Sequence, residues 1–167
     1  MKRLLVSGFV LACGAQVNAQ EVVYTRAATE ACLANIVEDQ NPDTCIGVSA
    51  LACMEANEGG MSTVGMGDCL NRELEYWDAR LNDIYHRVRA AAKATDTEME
   101  EIGASVASQA DAMRDMQRAW IAYRDATCEY ERTMWGGGTG GGPATVACHM
   151  KLTAEQALYF EAQEGVN

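Results

Sequence analysis

Leu70, Leu74, Trp77, Leu81, Ile84 and Val88 recur at spacings of three and four. Such a stripe covers one face of an α-helix, and it predicts a helix from about Asp68 to Lys93. Arg72, Glu73, Asp83 and Arg87 fall off the stripe. A second stripe, Ile102, Val106, Met113, Met116, Trp120 and Tyr123, predicts a helix reaching about Met134. Thr95 with Glu98 has the spacing of a capping box and sets its start, while Gly103 loosens its first turns. The short turn between these helices makes them antiparallel neighbours. Trp77, Leu81, Tyr85, Trp120 and Tyr123 are then the core seam between them.

Shorter elements flank this pair. Thr25 caps a helix running to about Glu38, and Asn41-Pro42-Asp43 breaks it. Asp43 is a candidate cap for a second helix, from Thr44 to about Asn57, which Glu58-Gly59-Gly60 ends. Residues 61–67 are small and glycine-containing and read as a loop. Residues 136–142 read Gly-Gly-Gly-Thr-Gly-Gly-Gly before Pro143, a flexible loop. The run lacks the Lys-Ser/Thr ending of a phosphate loop, and no strand precedes it. Thr153 with Gln156 caps a last helix to about Ala162. The predicted fold is all-α: an antiparallel long-helix hairpin with shorter flanking helices, stapled by disulfides.

Composition agrees with helices. Alanine and methionine are frequent, aromatics make up 7%, and strand formers are thin. The 167 residues suit one domain. Met1-Lys2-Arg3, an apolar run from Leu4 to Ala12 and an A-x-A-like end at Ala19 predict a signal peptide over residues 1–19. The apolar run is shorter than the ~20 residues that span a bilayer. Cys13 offers a rival cut with a lipid anchor, but Leu11 departs from that pattern. Cleavage near Ala19 predicts a periplasmic or secreted protein. With Lys2 and Arg3 gone, the net charge moves from −11 to −13. That charge argues against nucleic acid and anionic lipid as partners and favours cationic ones.

Six cysteines follow the signal: Cys32, Cys45, Cys53, Cys69, Cys128 and Cys148. In an exported chain an even number points to three disulfides. Cys45 and Cys53 share one predicted helix at about 12 Å separation and cannot pair. Cys128–Cys148 would restrain the glycine loop, and Cys32–Cys45 and Cys53–Cys69 would staple consecutive helices. Cys69–Cys128 stands as a rival, because the start of the third helix lies beside the end of the fourth. There is no C-x-x-C, and the only histidines are His86 and His149. Nothing here predicts a metal, a cofactor or a catalytic set.

Trp77-Asp78-Ala79-Arg80-Leu81-Asn82-Asp83-Ile84-Tyr85 and Gln117-Arg118-Ala119-Trp120-Ile121-Ala122-Tyr123-Arg124-Asp125-Ala126-Thr127-Cys128 carry a longer pattern. It resembles D-x-x-L-N-x-x-Y followed by Q-x-x-W-x-x-x-R-D-x-x-C and a later cysteine. On these strings the chain resembles the LprI-like N-terminal domain family over roughly residues 45–160. The resemblance divides the chain into signal (1–19), an N-terminal helical segment (20–60) and an LprI-like helical domain (61–167). The family takes its name from a mycobacterial lipoprotein that inhibits lysozyme, and most members are exported helical proteins without a demonstrated activity. The resemblance implies a non-enzymatic envelope binding protein and, as partner, a basic protein such as lysozyme. The alternative is a structural or stress-related periplasmic protein with no lysozyme contact.

Asp78, Asn82, Gln117 and Arg124 are the polar members of the signature, and Asp78 and Asn82 share a helical face. Two readings stand: a hydrogen-bonded set that fixes helix register, or a binding site. Inhibition needs an element that fills a substrate cleft. The segment 129–147 is the candidate, with Thr133, Met134 and Trp135 at its base. Asp78, Asn82, Arg124 and Trp135 are therefore the candidate binding residues.

Overall fold

A computed structural model describes residues 22–164; the predicted signal and Cys13 lie outside them. The elements are α1 (Ala27–Ala34), a 3-10 turn (Pro42–Cys45), α2 (Val48–Ala56), α3 (Thr63–Glu101), α4 (Gln109–Thr133) and α5 (Gly141–Glu164). No strand occurs among the described residues, so the protein is all-α.

Helix α3 begins where the Ser62 side chain accepts a hydrogen bond from Gly65 N–H. Its stripe buries Trp77, Leu81, Ile84 and Val88, with Leu70 and Leu74 partly covered. The face of α3 that the stripe marks is covered chiefly by α5, and only lightly by α4. Met150, Ala154, Ala157 and Phe160 of α5 complete the core. Two alanines in that set let the α5 backbone come close, and Phe160 fills the remaining volume. This corrects the seam predicted between α3 and α4. Trp120 is half-buried against the core, and Tyr123 is 60% exposed.

The direction of each helix follows from its partners. Arg80 donates from Nε and Nη2 to the two oxygens of Glu161, at 2.6 and 3.0 Å. One turn and more further on, Arg87 reaches Glu164 at 2.7 Å. Helices α3 and α5 therefore run the same way. Helix α4 runs opposite to α5: Cys128 bonds Cys148, Arg124 meets Thr153, and Gln117 accepts from Gln156 at 3.0 Å.

The connection from α3 to α4 departs from the capping-box reading. Thr95 lies inside α3 and donates to the Ala91 carbonyl. A helix already running absorbs the Thr95–Glu98 signal, because the box caps only a chain that starts there. Ile102 and Val106, read as helix marks, lie exposed at the end of α3 and in the connection. The start of α4 is capped by Ser108 and, from across the turn, by Asp96. Asp96 Oδ1 accepts from Gln109 N–H at 2.7 Å, and Oδ2 accepts from Ser108 Oγ at 2.7 Å and from Ala110 N–H at 3.1 Å. The Ser108 hydroxyl and these amides hold the Asp96 carboxyl below its ordinary value.

The N-terminal elements dock through one buried side chain. Glu73, four residues before Trp77 and on its face of α3 rather than off the stripe, is fully buried. Its Oε1 accepts from Thr29 Oγ1 (2.9 Å), Gly47 N–H (2.9 Å) and Trp77 Nε1 (3.1 Å); its Oε2 accepts from Ala50 N–H (2.6 Å). These bonds tie α1, the turn before α2 and α3 to one carboxylate. The second predicted helix is split accordingly. Its start is a 3-10 turn whose cap is Asn41 rather than Asp43, and Gly47, at φ +90°, redirects the chain into α2. Ala50 joins the core around Trp77.

The cysteines pair as Cys32–Cys45, Cys53–Cys69 and Cys128–Cys148, with Cα–Cα distances of 5.6, 5.7 and 5.4 Å. The rival Cys69–Cys128 bond is not formed. Each bridge joins consecutive elements along the chain.

Candidate binding surfaces

Two surfaces gather the residues singled out from sequence. The first is a cleft of about 370 Å³ lined by Asn71, Glu75, Asp78, Arg124 and His149, where α3, α4 and α5 meet. Arg124 and Asp78 thus face one hollow. Arg124 is held on every side: its guanidinium lies 5.0 Å over the Trp120 ring, donates to Asp125 at 2.9 and 3.0 Å, and reaches Thr153 Oγ1. Asp78 accepts from Asn82 at 3.0 Å on the exposed face of α3. His149 Nδ1 lies 3.9 Å from Asp125. Burial pushes the His149 pKa down, Arg124 adds to that, and Asp125 opposes it. At neutral pH the imidazole therefore brings no charge to the cleft. What remains is one partnered guanidinium beside surface carboxylates.

The second surface lies between the outer sides of α4 and α5. A groove of about 500 Å³ is lined by Tyr123, Trp135 and Leu152, with Glu131 and Lys151 on its edge. Trp135 is half-exposed, and its ring lies close against Gly140. A Cβ at Gly140 would sit 2.2 Å from the ring. A larger residue there would push the half-exposed Trp135 ring aside.

The loop predicted for residues 136–142 is shorter: residues 134–140 connect α4 to α5, and Gly141 and Gly142 are already helical. Helix α5 starts at Gly141, twelve residues before the predicted Thr153, with Pro143 in its first turns. Proline suits that position because the first helical N–H groups have no intrahelical acceptor. Gly136 and Gly137 take φ +53° and +87°. Gly138 N–H then bonds the Trp135 carbonyl at 2.8 Å, and Gly141 N–H bonds Gly138 at 3.1 Å. The segment enclosed by Cys128–Cys148 is thus two helix ends joined by the hydrogen-bonded connection 134–140. No long finger protrudes from it.

The structure brings Asp78, Asn82 and Arg124 to one region and leaves Trp135 on another. Sequence reasoning missed two residues of note. Tyr123, which its spacing places in the core, faces solvent beside Trp135. Glu73 reads as off the stripe, although its place four before Trp77 puts it on the same helical face. Among the described residues no group of three potential metal ligands stands close enough to hold an ion, and no helix is long and apolar enough to cross a membrane.

Comparison with known proteins places these features in a family. The chain is 34% identical over 96 residues to an uncharacterized protein of Rhizobium meliloti (strain 1021), covering 58% of this chain and 69% of that protein. It is 27% identical over 135 residues to an uncharacterized 17.7 kDa protein encoded in the puhA 5' region of Rhodobacter capsulatus, covering 80% of this chain and 83% of that one. No solved structure matches. The family model described as lysozyme inhibitor LprI matches residues 53–159, from the first cysteine of the Cys53–Cys69 bridge to the last turns of α5. The chain belongs to the LprI family.

Proposed function

We propose that this protein is an exported envelope binding protein that inhibits lysozyme by occupying its surface, without turnover of its own. The observation that carries the reading is the family match over residues 53–159, which spans both long-helix signatures and two of the three disulfides. Charge supports it. A protein of net −13 after loss of the signal steers basic proteins toward itself, and C-type lysozymes are basic. Three disulfides suit an oxidising compartment, in keeping with cleavage near Ala19 and release to the periplasm or beyond.

Of the four candidate binding residues, Trp135 has the exposure and chemistry of a contact. Asp78 and Asn82 bond each other along the exposed face of α3, and Arg124, which reaches Thr153, is assigned to holding α4 against α5. The test is a lysis assay. The mature protein, disulfides intact, is mixed with lysozyme and peptidoglycan at low and moderate salt. Inhibition at micromolar concentration or below is the expected result. Full lysis in both salts overturns the reading in favour of a structural or stress role.

A further inference from the structure

The exposed side of α4 has a pattern that the core does not use. Met116, Tyr123, Tyr130 and Met134 recur at spacings of seven, seven and four, so they form one stripe along the helix. They are 36%, 60%, 66% and 58% exposed. Trp135 continues the stripe past the helix end, and Tyr159 borders it from α5; each is 50% exposed. The stripe runs about 27 Å from Met116 to Met134. It joins the hollow at Trp135 to a second, of about 380 Å³, beside Met116 and Tyr159. Tyrosine, tryptophan and methionine are the side chains enriched where proteins meet, and this length suits one side of a standard interface.

We infer that this aromatic face of α4 and α5 is the surface on which a cationic protein docks. The inference rests on the proposed inhibition and names its contact surface. Charge selects the occupant. A second copy of this chain would bring its own −13 to the contact, whereas a basic protein meets both the excess acid and the ring faces, which attract Lys and Arg. Glu131 lies at the edge of the groove, and its neighbour Lys151 is drawn toward Glu155 at 3.7 Å. The Arg124 cleft is not part of this contact.

The experiment compares three forms for binding to C-type lysozyme by calorimetry: the unchanged protein, a Tyr123→Ala/Tyr130→Ala double variant and an Asp78→Ala/Asn82→Ala double variant. Every substituted side chain is exposed and none belongs to the core, so helical circular dichroism with an unchanged melting temperature verifies folding. The expected result is about tenfold or greater weakening for the tyrosine variant and little change for the cleft variant. Equal affinity of the tyrosine variant and the unchanged protein overturns the surface while leaving the inhibitor reading intact. No binding by the unchanged protein overturns both. A dimer that sedimentation detects in the unchanged protein and not in the tyrosine variant would replace the cationic partner by a second copy.

Discussion

Glu73 is the side chain on which the N-terminal third depends. Four donors from three elements converge on one carboxylate that no solvent reaches. A buried donor left without an acceptor is destabilising by about 1–3 kcal/mol. Glu73→Ala removes the acceptor for all four and is expected to lower stability by about 3–4 kcal/mol. Glu73→Gln keeps the shape, but its amide NH2 must oppose either the Ala50 N–H or the cluster on Oε1. Its expected loss is smaller, about 1–3 kcal/mol. Urea denaturation followed by circular dichroism reads both, and a glutamine variant as unstable as the alanine one would contradict this account. At the same scale, His149 ties stability to pH. Its folded pKa is depressed, so the unfolded chain binds the proton more readily. The contribution is present above the ordinary histidine value and is lost as pH falls through the depressed folded one. His149→Gln should flatten the fall in stability over that mildly acidic window, as urea midpoints at stepped pH will record.

At the scale of elements, what sequence discloses depends on contrast between faces. The α3 stripe is legible because large apolar side chains alternate with charge: Trp77, Leu81 and Ile84 stand out against Asp78, Arg80 and Asp83. Helix α5 is harder to read. Alanines supply much of its buried face, and its first turn is Gly141-Gly142-Pro143, which resembles a loop. The α4 stripe reads as core for a related reason. Periodicity reports that a face is apolar and is silent on what covers it, so Tyr123 counts as buried until α5 is seen to occupy the place on α3. The candidate site suffers the same ambiguity: Trp135 is legible as a contact, Tyr130 and Tyr159 are not. The disulfides are easier to read, since each joins elements consecutive along the chain. Cys128–Cys148 closes the α4–α5 hairpin across a separation of 20 residues. In the loop-entropy account such a bridge stabilises by about 3 kcal/mol. A Cys128→Ala/Cys148→Ala variant is expected to lose about that much, read from its denaturant midpoint, and to weaken any contact through Trp135. A variant with unchanged stability would mean that helix packing alone holds the hairpin.

For the whole molecule, the decisive quantity is the imbalance of charge. Lysines and arginines number 13 against 24 acidic residues in the chain. The cations are largely committed: Arg80 to Glu161, Arg87 to Glu164, and Arg114 and Arg124 to neighbouring aspartates. The field outside the protein is therefore the field of the surplus carboxylates, spread over a body that presents one aromatic face. Those two features act on different steps of binding. The field acts at a distance and speeds encounter; the aromatic face acts in contact and slows departure. Screening separates them, because the Debye length falls from about 30 Å at 0.01 M salt to about 8 Å at 0.15 M. The association rate with lysozyme is expected to drop by about tenfold or more over that range, while the dissociation rate stays nearly constant. Stopped-flow fluorescence measures both rates. An association rate that ignores salt would mean that the surplus charge serves solubility alone, and that the aromatic face finds its partner without guidance.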